Sequence, residues 1–168
     1  MLATIESIIN GINESIGRFV SWFVIAMVVI TFLNVLMRYG FNFGLIAVQE
    51  LVVYLHAFVF MIAIAYTYKQ DAHVRVDIFY ENFSTKRKAW VNLLGSLILL
   101  LPFCTYLIYA SWDYAYNSWQ LLEGSREAGG LPLVFLLKTL VPLMPALLML
   151  QGISTICHSM ITLKSDSA

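Results

Sequence analysis

Charge is what this 168-residue chain lacks most. Asp, Glu, Lys and Arg together make up 12% of it, about half the share of an average soluble domain. That scarcity leaves too little polar surface to coat a globule of this size in water. The formal net charge is zero, so no basic face is offered to nucleic acid. Cysteine is nearly absent: Cys104 and Cys157 both fall in apolar runs, which excludes a disulfide framework or a Cys/His metal site and suits small buried hydrophobes. Repeats, low-complexity tracts and a separable soluble domain are also missing. Paired carboxylates, an activated nucleophile and a phosphate-binding loop cannot be found, so no enzyme signature stands out.

What is present is hydrocarbon. Hydrophobic residues make up 60% of the chain and the mean hydropathy is +0.79. Four apolar runs, at about residues 19–37, 51–68, 89–112 and 139–163, are long enough to cross a bilayer, which takes about 20 residues. The fold expected is an all-α integral membrane protein forming one membrane domain over residues 1–168. The leader, residues 1–17, places Leu2, Ile5, Ile8, Ile9, Ile12 and Ile16 at three- and four-residue steps. That spacing predicts an amphipathic interfacial helix lying on the membrane surface ahead of span one. With Glu6 and Glu14 in place of a basic cluster, the first run reads as a span rather than a cleavable signal.

Orientation follows from where the cations sit. Lys69, Arg75, Lys86, Arg87 and Lys88 lie between spans two and three, and Arg18 and Lys164 join them if both termini share that side. Arg38, Arg126 and Lys138 face the other way. Short loops rich in Lys and Arg stay inside, so both termini are expected in the cytoplasm. In the inner loop Asp77 is placed to cap a short helix carrying Ile78, Phe79 and Phe83. Ser84 or Thr85 is placed to cap span three. Outside, Tyr39, Phe41 and Phe43 follow span one, and Trp112, Tyr114, Tyr116 and Trp119 follow span three, as aromatic belts do. Gly129 and Gly130 break the chain, Pro132 suits a new helix, and Pro142 and Pro145 would kink or restart span four.

The predicted spans contain no Asp, Glu, Lys or Arg. Ionisable groups inside a membrane mark relays and ion paths, so a chain without them is poorly equipped to carry a solute alone. It reads as an accessory subunit whose oily faces meet another membrane protein. At the outer mouth Arg38 and Glu50 could pair, and Glu123, Arg126 and Glu127 are spaced to pair if helical; self-pairing and contact with an outside partner both stand. Asn34, His56, Gln151 and His158 stand out among the polar residues inside spans. His56 and His158 keep open a rival reading, the haem- or quinone-associated membrane anchor of a respiratory enzyme. Mismatched depths favour a hydrogen-bonded histidine in the bundle instead. A small autonomous carrier or channel is a third reading.

The residues also resemble a family along nearly the whole chain. "NVLMRY" (34–39), "QEL" (49–51), "HVRVD" (73–77), Trp119 and Glu123 followed by "GGLP" (129–132), then "LK" (137–138), "VP" (141–142) and "LQGIS" (150–154) are similar to the small membrane subunit of tripartite ATP-independent periplasmic (TRAP) transporters. The last set is similar to its dicarboxylate or mannitol branch. The family often has an aromatic residue and a second acid just before Glu50, where this chain has Ala47, Val48 and Gln49. The resemblance implies a bacterial inner-membrane scaffold subunit. Its partners would be membrane lipid, a large membrane subunit that holds the substrate and sodium sites, and a periplasmic binding protein that delivers an organic anion. It implies no cofactor on this chain. Glu50, Glu123, Arg126 and Glu127 would lie where the binding protein docks, and His73, Arg75, Asp77, Lys86, Arg87 and Lys88 would anchor the inner side.

Overall fold

The computed structural model describes residues 1–73, 80 and 82–165. Four helices carry the chain: α1 (Leu2–Phe41), α2 (Ile46–Lys69), α3 (Thr85–Gln120) and α4 (Val134–Ser165). Each expected span lies inside one of them, and no strand occurs among the described residues. The helices overrun the spans because nothing at the membrane surface stops a helix. The actual stops are local: α1 ends where Asn42 adopts a left-handed conformation (φ 52°), one of the few that asparagine tolerates. The short link to α2 then makes the two helices antiparallel neighbours. Ser84 occupies the N-cap position of α3, but its side chain caps nothing. Arg75, Asp77, Ile78 and Phe79 lie outside the described residues.

The leader departs from expectation. It is helical, but it runs unbroken into span one as a single helix of 40 residues, about 60 Å long. Its polar side is the side that packs. Asn13 and Gly17 are buried, Glu6 and Asn10 half-buried, while Ile5, Ile8 and Ile12 point outward. The amphipathic reading assumed water against the polar stripe. The stripe is instead satisfied by α4: Asn13 Nδ2 donates to Gln151 Oε1 (2.6 Å), Gln151 Nε2 to Asn10 Oδ1 (3.1 Å), and Ser154 Oγ to the same oxygen (2.9 Å). Further out, His158 Nδ1 meets Glu6 Oε1 at 2.9 Å. Glu14 binds Lys69 of α2 (2.7 Å), Arg18 (3.0 Å) and Gln70 (3.2 Å). The start of α1 and the end of α4 therefore lie at one end of the molecule, here the terminal end. The 42–45 link and the 121–133 loop form the other, the hairpin end.

The helices do not close into a ring. α4 packs on each of the other three, whereas α3 makes no backbone approach to α1 or α2 among the described residues. The result is a fan opened around α4. Its small apolar centre joins Val20, Ile62 and Leu140, with Ile16, Phe58, Leu137 and Leu147 around them. Close approach depends on two glycines. A Cβ on Gly17 would collide with the Tyr66 ring, and one on Gly152 would come within 2.8 Å of Leu100 Cδ2. Pro142 and Pro145 do not restart span four; α4 begins at Val134 and continues through both. In α3 a π-helical stretch, Gly95–Leu100, interrupts the α-helical hydrogen bonding.

Gln151→Leu leaves Asn13 Nδ2 without its acceptor and removes one of the two donors to Asn10 Oδ1, which costs about 1–3 kcal/mol. Unfolding in mixed micelles should show that loss, and Asn13→Leu added to it should cost less than Asn13→Leu alone. Strict additivity would mean that the two amides do not interact.

Candidate functional site at the hairpin end

The loop between α3 and α4 is not helical, and among the described residues no ion pair joins Glu123, Arg126 and Glu127 as a helical spacing would have allowed. Leu122 turns the chain with φ 44°, and the segment folds back on itself: Ser125 N–H donates to Leu131 O (2.9 Å), Gly130 N–H to Glu127 O (3.0 Å), and Phe135 N–H to Glu123 O (3.2 Å). Two carboxylates tie this fold to the helices. Glu123 Oε2 accepts from Lys138 Nζ (2.6 Å) and Ser118 Oγ (2.7 Å), and so joins the end of α3 to the start of α4. Lys138 also lies over the Tyr114 ring, 4.2 Å from its centroid. Trp119 completes the joint, donating Nε1–H to Thr139 Oγ1 (2.7 Å) and meeting Phe135 edge-on at 4.7 Å.

Glu50, from the first turn and a half of α2, supplies the second tie. Its carboxylate accepts from Ser125 Oγ and from Leu131 N–H (2.6 Å). No ion pair joins it to Arg38 among the described residues. A Cβ on Gly130 would collide with Ser125 Oγ and come within 2.8 Å of Glu50 Oε1, so the "GGLP" run needs its second glycine for space and its first, Gly129 (φ 81°), for backbone conformation. Glu50 and Glu123 are thus turned inward on the loop, while Arg126 and Glu127 are exposed on its surface.

The Lys138 ammonium, and after it the Ser118 hydroxyl, holds the Glu123 carboxyl below the usual carboxylate range. A folded-state pKa lowered in this way means that the tie contributes fully above the ordinary carboxylate pKa. It is lost only as the pH falls through the lower folded value.

At the terminal end His73 approaches Ile64 O at 3.4 Å. Lys86, Arg87 and Lys88 occupy the first turn of α3, with Lys88 Nζ 5.3 Å from the centroid of the Tyr80 ring. Sequence reasoning missed the Glu14 and Glu6 contacts at this end, because their partners lie 55 and 152 residues away. The histidines do not pair: His158 is bound to Glu6, His73 sits beside Ile64 O, and His56 is exposed well along α2. His56 is not the bundle-buried, hydrogen-bonded residue expected. Among the described residues no group of His, Cys, Asp and Glu could hold a metal ion.

The loop tied between α3, α4 and α2, with its "GGLP" run and Glu123–Lys138 pair, carries several of the residues on which the family resemblance rests. The family model described as "Tripartite ATP-independent periplasmic transporters, DctQ component" matches residues 27–161. The chain belongs to this family. As a TRAP small permease it is a multi-pass protein of the bacterial inner membrane. It is similar to the C4-dicarboxylate TRAP transporter small permease protein DctQ of Vibrio cholerae serotype O1, 29% identical over 107 residues, 63% of this chain and 46% of that protein. It is also similar to a Haemophilus influenzae protein named as a TRAP transporter small permease, 26% identical over 108 residues, 64% of this chain and 66% of that one. The alignments thus span about half and about two thirds of those relatives. No solved structure matches the chain.

Two outcomes are expected at this site. Glu50→Ala removes both acceptors that hold the loop down, and charge-assisted bonds contribute about 1.5–3 kcal/mol each. Trypsin cleavage after Arg126 should therefore accelerate at least about tenfold; an unchanged rate would show that the loop stands without Glu50. In a variant whose sole tryptophan is Trp119, emission should hold steady from about pH 8 to pH 5 and shift only below about pH 4. A transition near neutral pH would contradict the Glu123–Lys138 assignment.

Proposed function

We propose that this TRAP small permease is the fixed scaffold subunit of a sodium-coupled transporter that imports an organic anion, a carboxylate or sulfonate. The observation that carries the reading is the open fan: helices whose outward faces are apolar and almost unburied, arranged around α4 with no ionisable path through the bilayer. Such a body has little of its own to move and a large surface on which something else can rest. The large membrane subunit would hold substrate and sodium and slide as an elevator against it, so this chain needs neither cofactor nor catalytic group. The Vibrio cholerae relative is named for C4-dicarboxylates, which supports a carboxylate cargo.

The hairpin end would face the periplasm and the terminal end the cytoplasm, in keeping with Lys69, Lys86, Arg87, Lys88 and Lys164 at the latter. The binding protein would then meet the tied loop. Of the four acids and cations proposed to dock it, Arg126 and Glu127 are presented outward. Glu50 and Glu123 would act through the shape of the loop they hold.

Proteoliposomes decide between the readings. Uptake of a labelled C4-dicarboxylate under a sodium gradient should require this chain, the large subunit and the binding protein together, and vesicles with this chain alone should take up none. Transport by the isolated chain would make it a carrier in its own right, and a haem spectrum in the purified protein would restore the respiratory-anchor reading. In the full system Arg126→Glu should cut uptake several-fold, as loss of an exposed interfacial charge slows association, while the recovered complex stays the same. Unchanged uptake would remove Arg126 from the docking surface.

A further inference from the structure

Hydrogen-bonding side chains inside the helices are mostly accounted for. Thr67, Thr105, Ser111, Thr139 and Thr155 donate to carbonyls one turn back, and Gln151 is buried against Asn10 and Asn13. His56 is different. Its ring is exposed, it stacks on Phe60 with centroids 6.5 Å apart, and among the described residues no hydrogen bond reaches either nitrogen. It lies six residues along α2 from Glu50 and thirteen from Lys69, about 9 and 20 Å by helical rise. An imidazole is too short to reach water across either distance. Hydrocarbon offers it nothing to bond, and polar residues inside a membrane turn toward protein or a water-filled cavity.

The surroundings of His56 are shaped to receive something. Val28, Thr31 and Phe32 of α1 with Val52 and Val53 of α2 form a groove of about 600 Å³ in which the imidazole lies. The Thr31 hydroxyl sits at nearly the same depth, seven residues from Arg38. Toward the hairpin end the same two helices carry a second groove of about 490 Å³, lined by Arg38, Asn42 and Gln49. The seam is thus apolar along its length, polar at its mouth, and interrupted at one depth by an imidazole and a hydroxyl. Acyl chains would fill the apolar part and leave both nitrogens empty.

We infer that the α1–α2 groove seats a transmembrane helix of the large membrane subunit, and that a hydrogen-bonding side chain of that helix meets His56. The inference rests on the scaffold role proposed above and names the face that would perform it. The outward back of α3, with Leu99, Phe103 and Tyr106, then faces lipid.

The test uses the tagged chain co-expressed with the large subunit that accompanies it and purified in mild detergent. A photo-crosslinking residue replaces Val53 or Val28 in the groove, or Phe103 on α3 as the control. Adducts to the large subunit are expected from Val53 and Val28 and not from Phe103. Interhelical hydrogen bonds in membranes are modest, so His56→Leu should reduce the large subunit retained by about three- to tenfold, and His56→Gln should restore most of it. Adducts from Phe103 alone would overturn the inference. So would adducts from Val53 to lipid only or to a second copy of this chain, or retention by His56→Leu equal to wild type. If wild type retains no large subunit at all, the scaffold reading itself falls; if it retains the subunit but the groove stays silent, only the assigned face falls.

Discussion

Lipid gives an apolar side chain no reason to leave it, so helices that have reached a membrane need some other cause to stay together. In this chain the cause is polar. At one end the amides of Asn10, Asn13 and Gln151 and the Ser154 hydroxyl satisfy one another between α1 and α4. At the other, Glu123 and Lys138 close the α3–α4 turn while Glu50 ties it to α2. Between these knots the helices touch through glycines and a few aliphatic and aromatic side chains, and most of their surface is left bare. The apolar centre is small because it is not what holds the molecule.

That division of labour explains the shape. A soluble four-helix bundle must close to hide its apolar stripes from water. Here the stripes are already in a suitable solvent, so α3 can pack its backbone on α4 and, among the described residues, reach α2 only through the Tyr68 and Ser96 hydroxyls, 3.4 Å apart. An open fan is wide for its mass and offers long apolar seams, which suits a subunit whose role is to be leaned upon. The tied loop caps one end of this body with a rigid surface carrying Arg126 and Glu127.

Hydropathy alone revealed the four spans, since the bilayer filters sequence by a single property over about 20 residues. The helix ends were not legible, because they depend on local events such as the left-handed Asn42 and the back-folded Leu122. The helical period of the leader is legible in the sequence, but what meets its polar stripe depends on Gln151 and Ser154, which are remote in the chain and brought beside it only by the fold. Glu50 and Glu123 read as outward charges for the same reason, since their partners Leu131 and Lys138 are remote or reached only through a non-helical loop. His56 was identified as the odd polar residue in span two, yet whether it faced inward or outward was decided by tertiary packing. The "GGLP" run was legible as a motif, though not its physical cause, the clearance that Gly130 gives to Ser125 and Glu50.

The central position of α4 bears on how the molecule is made. It is the last of the four helices to leave the ribosome, yet each of the others packs on it and, among the described residues, α3 packs closely on no other helix. Until residues 134–165 have been inserted, α3 has only the Tyr68–Ser96 contact to α2 and the Asn10 and Asn13 amides have no Gln151 to meet. Assembly therefore waits on the final helix, and the three earlier ones must be held in the bilayer by their own hydrophobicity in the meantime. Their long, charge-free apolar stretches supply that patience.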